Sequence, residues 1–177
     1  MAKYLIEGGT VLKGTVRIGG NKNAVLPCLA ATLLTDQPVT LRNVPDISDV
    51  SVMLDLLKYL GAVVERSTET ITVTAEKITT SDLPEELISK LRASVLLIGP
   101  LLARTGKIKF SHPGGDVIGK RSIHTHLEGM EAMGYHFDQF DQNRSYNGHL
   151  TRSPDDVDFF LDEASVTATE NLIMTAV

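Results

Sequence analysis

A carboxylate and two adjacent cations share one glycine-rich segment, Ser111–Arg121 (SHPGGDVIGKR). Asp116 is the acid; Lys120 and Arg121 carry the positive charge. Pro113, Gly114, Gly115 and Gly119 make a regular helix or strand unfavourable here. A loop that closes, donates a proton and delivers positive charge suits acid-assisted chemistry on an anionic substrate. The same residue types also build a surface turn held by an Asp side chain, and both readings stand at this point.

Two further places offer cations. In Gly19–Asn23 (GGNKN), glycines permit close backbone approach, and Asn21 or Asn23 is placed to cap the helix that follows. The Lys22 ammonium beside that helix N-terminus would attract an anion. A solvated Lys at an ordinary strand-turn-helix junction is the alternative. The spacing is not that of a Walker motif, and no Ser or Thr follows the Lys. Arg92, in SKLRASVLL, enters an increasingly apolar run, either as a paired cation at a pocket or as an Arg that reaches back to water. His112, His124, His126, His136 and His149 show no metal-ligand spacing, and His124 and His126 should face different sides of one helix. Neither a metal nor a cofactor is expected.

The elements that must hold these groups repeat. Asp49–Ala62 aligns with Ser122–Tyr135, so that Leu54, Leu57, Leu60 and Gly61 match Leu127, Met130, Met133 and Gly134. The spacing of three predicts one apolar helical face, and the Gly a C-terminal cap. Apolar helices are predicted over Asn23–Leu34 and Glu85–Arg104, the second kinked at Pro100. Strands are predicted at Val39–Arg42, Ala62–Glu65, Thr70–Thr74, Lys107–Phe110 and Tyr135–Asp138. The unit reads helix, strand, loop, helix, strand, strand, and occurs twice. Ala164–Val177 resembles the first helix of each copy, which points to a fragment or shortened product of a longer protein; a docked terminal helix is the alternative. Lys3–Glu7 and Gly14–Gly19 suggest a hairpin that needs a sheet to join.

Composition sets the class. The chain has 177 residues, 42% hydrophobic and 22% charged, which is ordinary for a globular protein. A net charge of −5 gives no global signal for nucleic acid. The single Cys28, in an apolar helix, is expected to be a buried structural thiol. No signal peptide and no membrane-length apolar run is visible, so a cytoplasmic location is expected.

In order and spacing, Gly20–Ala24 with Leu26-Pro27, Leu91–Ser94, Pro113–Arg121 and Ser165–Thr169 resemble the N-terminal part of the UDP-N-acetylglucosamine 1-carboxyvinyltransferase family. These are the enolpyruvyl transferases of peptidoglycan synthesis. The resemblance runs from about residue 3 to the last residue, and its specificity lies in the conjunction of motifs. It implies an α/β (α+β) fold of βαβαββ units in an inside-out barrel, two lobes with the active site between them. Residues 1–21 would then belong to the other lobe, and 22–177 would form two repeats and part of a third.

The resemblance also implies the chemistry. The enolpyruvyl group of phosphoenolpyruvate passes to the 3′-hydroxyl of UDP-N-acetylglucosamine with release of phosphate. Lys22 and Asn23 would hold phosphoenolpyruvate, Arg121 would add charge at the phosphates, and Arg92 would help bind the nucleotide sugar. Arg121, Ser122, Ile123, His124 and Thr125 would line the nucleotide, as would Ser165 and Val166. Asp116 takes the position of the loop proton donor, where most members carry Cys and a minority Asp. A carboxyl there is ionised when solvated; desolvation and a bound anion would raise its pKa into a useful range. It should also resist fosfomycin, which alkylates the thiol of Cys members. The family's acid-base Asp and another phosphate-binding Arg fall outside these residues, so negligible turnover is expected of the 177 residues alone. Two other readings remain: the shikimate-pathway enolpyruvyl transferase, and a lone lobe that binds nucleotide sugar without catalysis. The third-repeat helix and the orphan hairpin could drive self-association.

Overall fold

The computed structural model describes residues 3–114, 122–140, 145–153 and 157–177. One unit occurs twice in sequence. In the first copy α1 (Lys22–Ala31), continued by a 3-10 turn at Thr32–Leu34, precedes β1 (Val39–Arg42), α2 (Ser48–Tyr59), β2 (Val63–Ser67) and β3 (Thr70–Thr74). In the second, α3 (Glu85–Ile88), a 3-10 helix (Arg92–Leu97) and α4 (Ile98–Thr105) precede β4 (Lys107–Ser111), α5 (His124–Ala132), β5 (Tyr135–Phe140) and β6 (Ser145–Leu150). Then α6 (Val166–Thr175) follows.

Each copy closes on an antiparallel sheet with its last strand in the middle, β1-β3-β2 and β4-β6-β5. The alternation of Thr70-Ile-Thr-Val-Thr explains β3, because Ile71 and Val73 are buried while the threonines are half-exposed. Gly61 and Gly134 follow α2 and α5 with φ of 103° and 99°, the left-handed conformation that ends a helix without a Cβ clash. The repeat alignment is thus matched at the backbone. A leading strand survives in the second copy as one parallel bridge, Asp82–Lys109. Leu83 N–H donates to the Lys109 carbonyl (2.7 Å) and Lys109 N–H to the Ser81 carbonyl (3.0 Å).

The core is shared by both copies. At its centre α4, α6 and the Arg92–Leu97 helix pack together, with Leu96, Leu97, Ile98, Leu101 and Leu102 fully buried. Among the described residues no helix is long and apolar enough to cross a membrane.

Four expectations change. Glu85–Arg104 is not one kinked helix: the chain breaks at Leu91, which is extended (φ −138°, ψ 112°). Pro100 does not kink α4, because it sits in the first turn, where its missing N–H has no intrahelical partner to lose. The hairpin in residues 3–20 does not form; the segment carries no strand and Tyr4, Leu5, Ile6, Val11 and Leu12 are exposed. With no sheet beside it, its alternation has no ladder to join. Cys28 is exposed, not buried. The inner face of α1 is made by Val25, Leu26, Leu29 and Ala30, and position 28 falls on the opposite side.

Candidate active site

A cleft of about 810 Å³ opens where α1 and α6 begin, beside the Arg92–Leu97 helix. It is lined by Lys22, Asn23, Arg92, Ser122, Ser165 and Val166 among others, six of the candidate residues from four separate stretches of sequence.

Local structure explains how each arrives. Asn21 caps α1, its Oδ1 accepting from Asn23 N–H (2.8 Å) and Ala24 N–H (3.2 Å). Those two donors are therefore taken by the cap, and the anion-attracting group left at this end is the Lys22 ammonium. Its Nζ lies 2.7 Å from Asp49 Oδ2, with both side chains partly exposed. Such a pair adds at most about 1 kcal/mol to stability, so its consequence is orientation of the ammonium at the cleft. Arg92 donates to two backbone carbonyls, Nη1 to Pro113 (3.3 Å) and Nη2 to Ser122 (3.2 Å). One guanidinium therefore joins the residues on either side of 115–121. Ser122 Oγ accepts from His124 N–H (2.9 Å), and Ser165 Oγ caps α6 by accepting from Ala168 N–H (3.3 Å). Both hydroxyls hold helix starts at the rim of the cleft.

Other candidates lie elsewhere. Ile123, at the N-cap of α5, and Thr125, in its first turn, are buried. His124 is exposed, with Nε2 2.8 Å from Glu128 Oε1 on the next turn. Asp116, Lys120 and Arg121 lie outside the described residues. The close approach that Gly20 allows is not to this cleft; a Cβ there would overlap the Asn43 carbonyl and crowd Pro45. In the same way Gly114 sits against the Ser89 backbone, where a side chain would not fit.

The cleft also holds Asp49, Lys90, His126, Glu163 and Thr167, to which the sequence assigned no role. Lys90 is exposed and has no ion pair among the described residues, so it adds positive charge beside Lys22 and Arg92. His126 is 3% exposed. Its Nδ1 lies 3.0 Å from Asn171 Nδ2 and its Nε2 3.3 Å from Thr167 Oγ1. Burial first, and the Arg92 charge second, push its pKa down from 6.5 to about 4. The only sequence signal was its position two residues from His124, which put the two on different sides of one helix without saying which faced inward.

That depression has a sign. The folded protein leaves His126 neutral where the unfolded chain already takes up a proton, so this group lowers stability as pH falls from about 6.5 to about 4. The full shift corresponds to about 3 kcal/mol. Urea midpoints at pH 7.5 and 4.5 should therefore differ more in the native protein than in His126→Asn, which lacks this titration. Equal pH dependence in the two would refute the expectation.

A sequence model of the EPSP synthase (3-phosphoshikimate 1-carboxyvinyltransferase) family matches residues 6–177. A curated relative from Treponema denticola, described as UDP-N-acetylglucosamine 1-carboxyvinyltransferase, is 48% identical and aligns with 99% of this chain and 41% of its own. One of the same description from Porphyromonas gingivalis is 44% identical over 100% of this chain and 42% of its own. The chain thus spans about 41% of the length of such relatives. Among solved structures, the enolpyruvyl transferase NikO from Streptomyces tendae superposes with a TM-score of 0.70 at 26% identity, covering 83% of this chain and 32% of that one. EPSP synthase from Acinetobacter baumannii shares the fold, with a TM-score of 0.70 at 12% identity over 92% of this chain and 37% of its own. The two small sheets with their helices are an incomplete α/β arrangement of that fold. By the match over residues 6–177, the chain belongs to the EPSP synthase (3-phosphoshikimate 1-carboxyvinyltransferase) family.

Proposed function

We propose that the protein containing this chain transfers the enolpyruvyl group of phosphoenolpyruvate to the 3′-hydroxyl of UDP-N-acetylglucosamine and releases phosphate, in the cytoplasm, as a step of peptidoglycan synthesis. The observation that carries the reading is the convergence of Lys22, Asn23, Arg92, Ser122, Ser165 and Val166 on one cleft. Relatives 40–48% identical to this chain are described as the transferase for that sugar nucleotide.

In this reading Lys22 and Asn23 hold phosphoenolpyruvate. Arg92 and Arg121 serve the phosphates and the nucleotide sugar, for which guanidinium groups offer paired donors. Arg121 to Thr125, with Ser165 and Val166, border the nucleotide. Asp116 gives its proton to the methylene carbon of the enol. The sugar oxygen adds to the cationic carbon and gives up its own proton to a base in the rest of the active site; the tetrahedral intermediate then loses phosphate as a proton of the new methyl group returns to a carboxylate of the site, which restores the double bond. Residues 1–21 belong to the second lobe, whose remainder, with the rest of the active site, is supplied by the longer protein.

The test is phosphate release by the full-length protein with both substrates, together with the mass of the enolpyruvyl product. Shikimate 3-phosphate is the discriminating acceptor, because the family model carries that enzyme's name. Product from shikimate 3-phosphate but none from UDP-N-acetylglucosamine would overturn the reading. Binding of the nucleotide without turnover would leave only a binding lobe.

A separate expectation follows from Asp116. Incubation with fosfomycin should leave the intact mass unchanged, because a carboxylate is a far weaker nucleophile than a thiolate. A mass increase mapped to Asp116 would contradict this. One mapped to Cys28, which is exposed, would show reaction at a second place without bearing on Asp116.

A further inference from the structure

We propose that His126 is a positioning residue for this cleft: held by Asn171 as the neutral tautomer protonated on Nε2, it fixes the first turn of α6 and with it Ser165 and Val166. The inference rests on the functional reading above for what the cleft binds.

Asn171 is fully buried on α6. Gly99 N–H donates to its Oδ1 (2.8 Å), and its Nδ2 donates to the Val95 carbonyl (2.7 Å). A backbone N–H only donates and a carbonyl only accepts, so the two ends of the amide are assigned without ambiguity. Nδ2 has a second proton, and the atom facing it is His126 Nδ1 at 3.0 Å. That nitrogen must accept and therefore carries no proton. The neutral ring then holds its proton on Nε2, which faces Thr167 Oγ1 at 3.3 Å. Thr167 is in the first turn of α6, next to Ser165 and Val166 at the cleft.

One chain of hydrogen bonds thus runs from the Arg92–Leu97 helix and α4, through Asn171 to His126 on α5, and back to the start of α6. Apolar packing alone would leave α6 free to shift along or about its axis. This chain fixes it, since a small displacement unpairs several buried groups at once. A protonated ring would set two donors against each other at Asn171. The charge acting on the ring from the neighbouring elements is Arg92, which opposes protonation further.

Two measurements test this on the full-length protein. First, 15N NMR of histidine-labelled protein at pH 7 should show His126 protonated on Nε2 and bare on Nδ1; the readout needs no substrate and is independent of the functional reading. Second, His126→Phe should weaken UDP-N-acetylglucosamine binding about tenfold, the scale of one lost buried hydrogen bond. His126→Asn, whose amide oxygen lies near the Nδ1 position and accepts from Asn171 but which lacks the Nε2 proton given to Thr167, should fall between the Phe variant and native. Thr167→Val, which removes only the far acceptor, should lose affinity in the same direction. KM for phosphoenolpyruvate should stay within about twofold in all three, a split that general damage to the fold would not give. An Nδ1–H tautomer or an imidazolium at pH 7 would overturn the inference. So would the expected tautomer with unchanged nucleotide-sugar affinity in the Phe and Val variants, or equal losses for both substrates. Native protein that binds no UDP-N-acetylglucosamine would sink the functional reading and the positioning role together, while the tautomer result would stand.

Discussion

On the proposed function, Lys22→Ala in the full-length protein should lower kcat/KM for phosphoenolpyruvate by about a thousandfold, the upper range for removing one preorganised electrostatic group. The ammonium is delivered by the first turn of α1 and oriented by Asp49 at 2.7 Å. Losing it leaves the Asp49 carboxylate at the cleft without its counter-ion, so the anionic substrate meets repulsion as well as a missing attraction. Stability should hardly change, because the ion pair is partly solvated. Lys22→Arg should not restore the rate, since a planar guanidinium cannot take the place of a compact ammonium in the same pocket. Steady-state kinetics at varied phosphoenolpyruvate, with a urea titration beside it, decide the matter. A Lys22→Ala variant within tenfold of native would remove Lys22 from the site.

Asn171→Leu has the largest expected effect on stability, a loss of about 4 kcal/mol. The substitution keeps the number of side-chain heavy atoms and removes every hydrogen bond of the side chain. Gly99 N–H and His126 Nδ1 are then buried without partners, and each costs about 1–3 kcal/mol, while the Val95 carbonyl keeps only the Ile98 N–H. The site has little room to relax: a Cβ at Gly99 would stand 2.5 Å from the Asn171 carbonyl and 2.8 Å from Thr175 Oγ1. A loss of this size is a large part of the total stability of an ordinary domain, so the variant should be partly unfolded in mild urea. Chemical denaturation measures it; a change below about 1 kcal/mol would show that water or a repacked partner replaces the amide.

Much of this was written in the sequence. The spacing of three in Leu54, Leu57 and Leu60, and again in Leu127, Met130 and Met133, marked both cap helices, and Gly61 and Gly134 closed them as expected. The strand Val39–Arg42 was legible because its alternation is matched by burial. β6 was not. Asn147-Gly148 reads as a turn, yet Gly148 lies mid-strand opposite both Ile108 and Phe137. A side chain there would collide with the Phe137 ring at 2.5 Å, so the glycine makes room for an aromatic side chain on the neighbouring strand β5. The same holds for the site. Lys22, Arg92 and Ser165 stood out by type and motif. Asp49 and His126 did not, because their roles come from partners on other elements, and no local pattern encodes a pair such as His126–Asn171.

Among the described residues, the middle position of β3 and β6 leaves β1, β2 and β5 as open sheet edges, while β4 has part of its outer side taken by the Ser81–Leu83 backbone. An open edge is a template on which a second chain can add a strand. Here β1 is only four residues long and ends in Arg42, β2 carries Glu65 and Arg66, and β5 carries His136 and Asp138. A strand docking on any of them would have to accommodate these charged or short rims. The residues most able to draw another molecule are therefore not at the sheets but in the exposed stretch that holds Leu5, Ile6, Val11 and Leu12, which are about nine-tenths accessible. Handling of the isolated chain should accordingly respond to changes in those four side chains and hardly at all to changes along the strands.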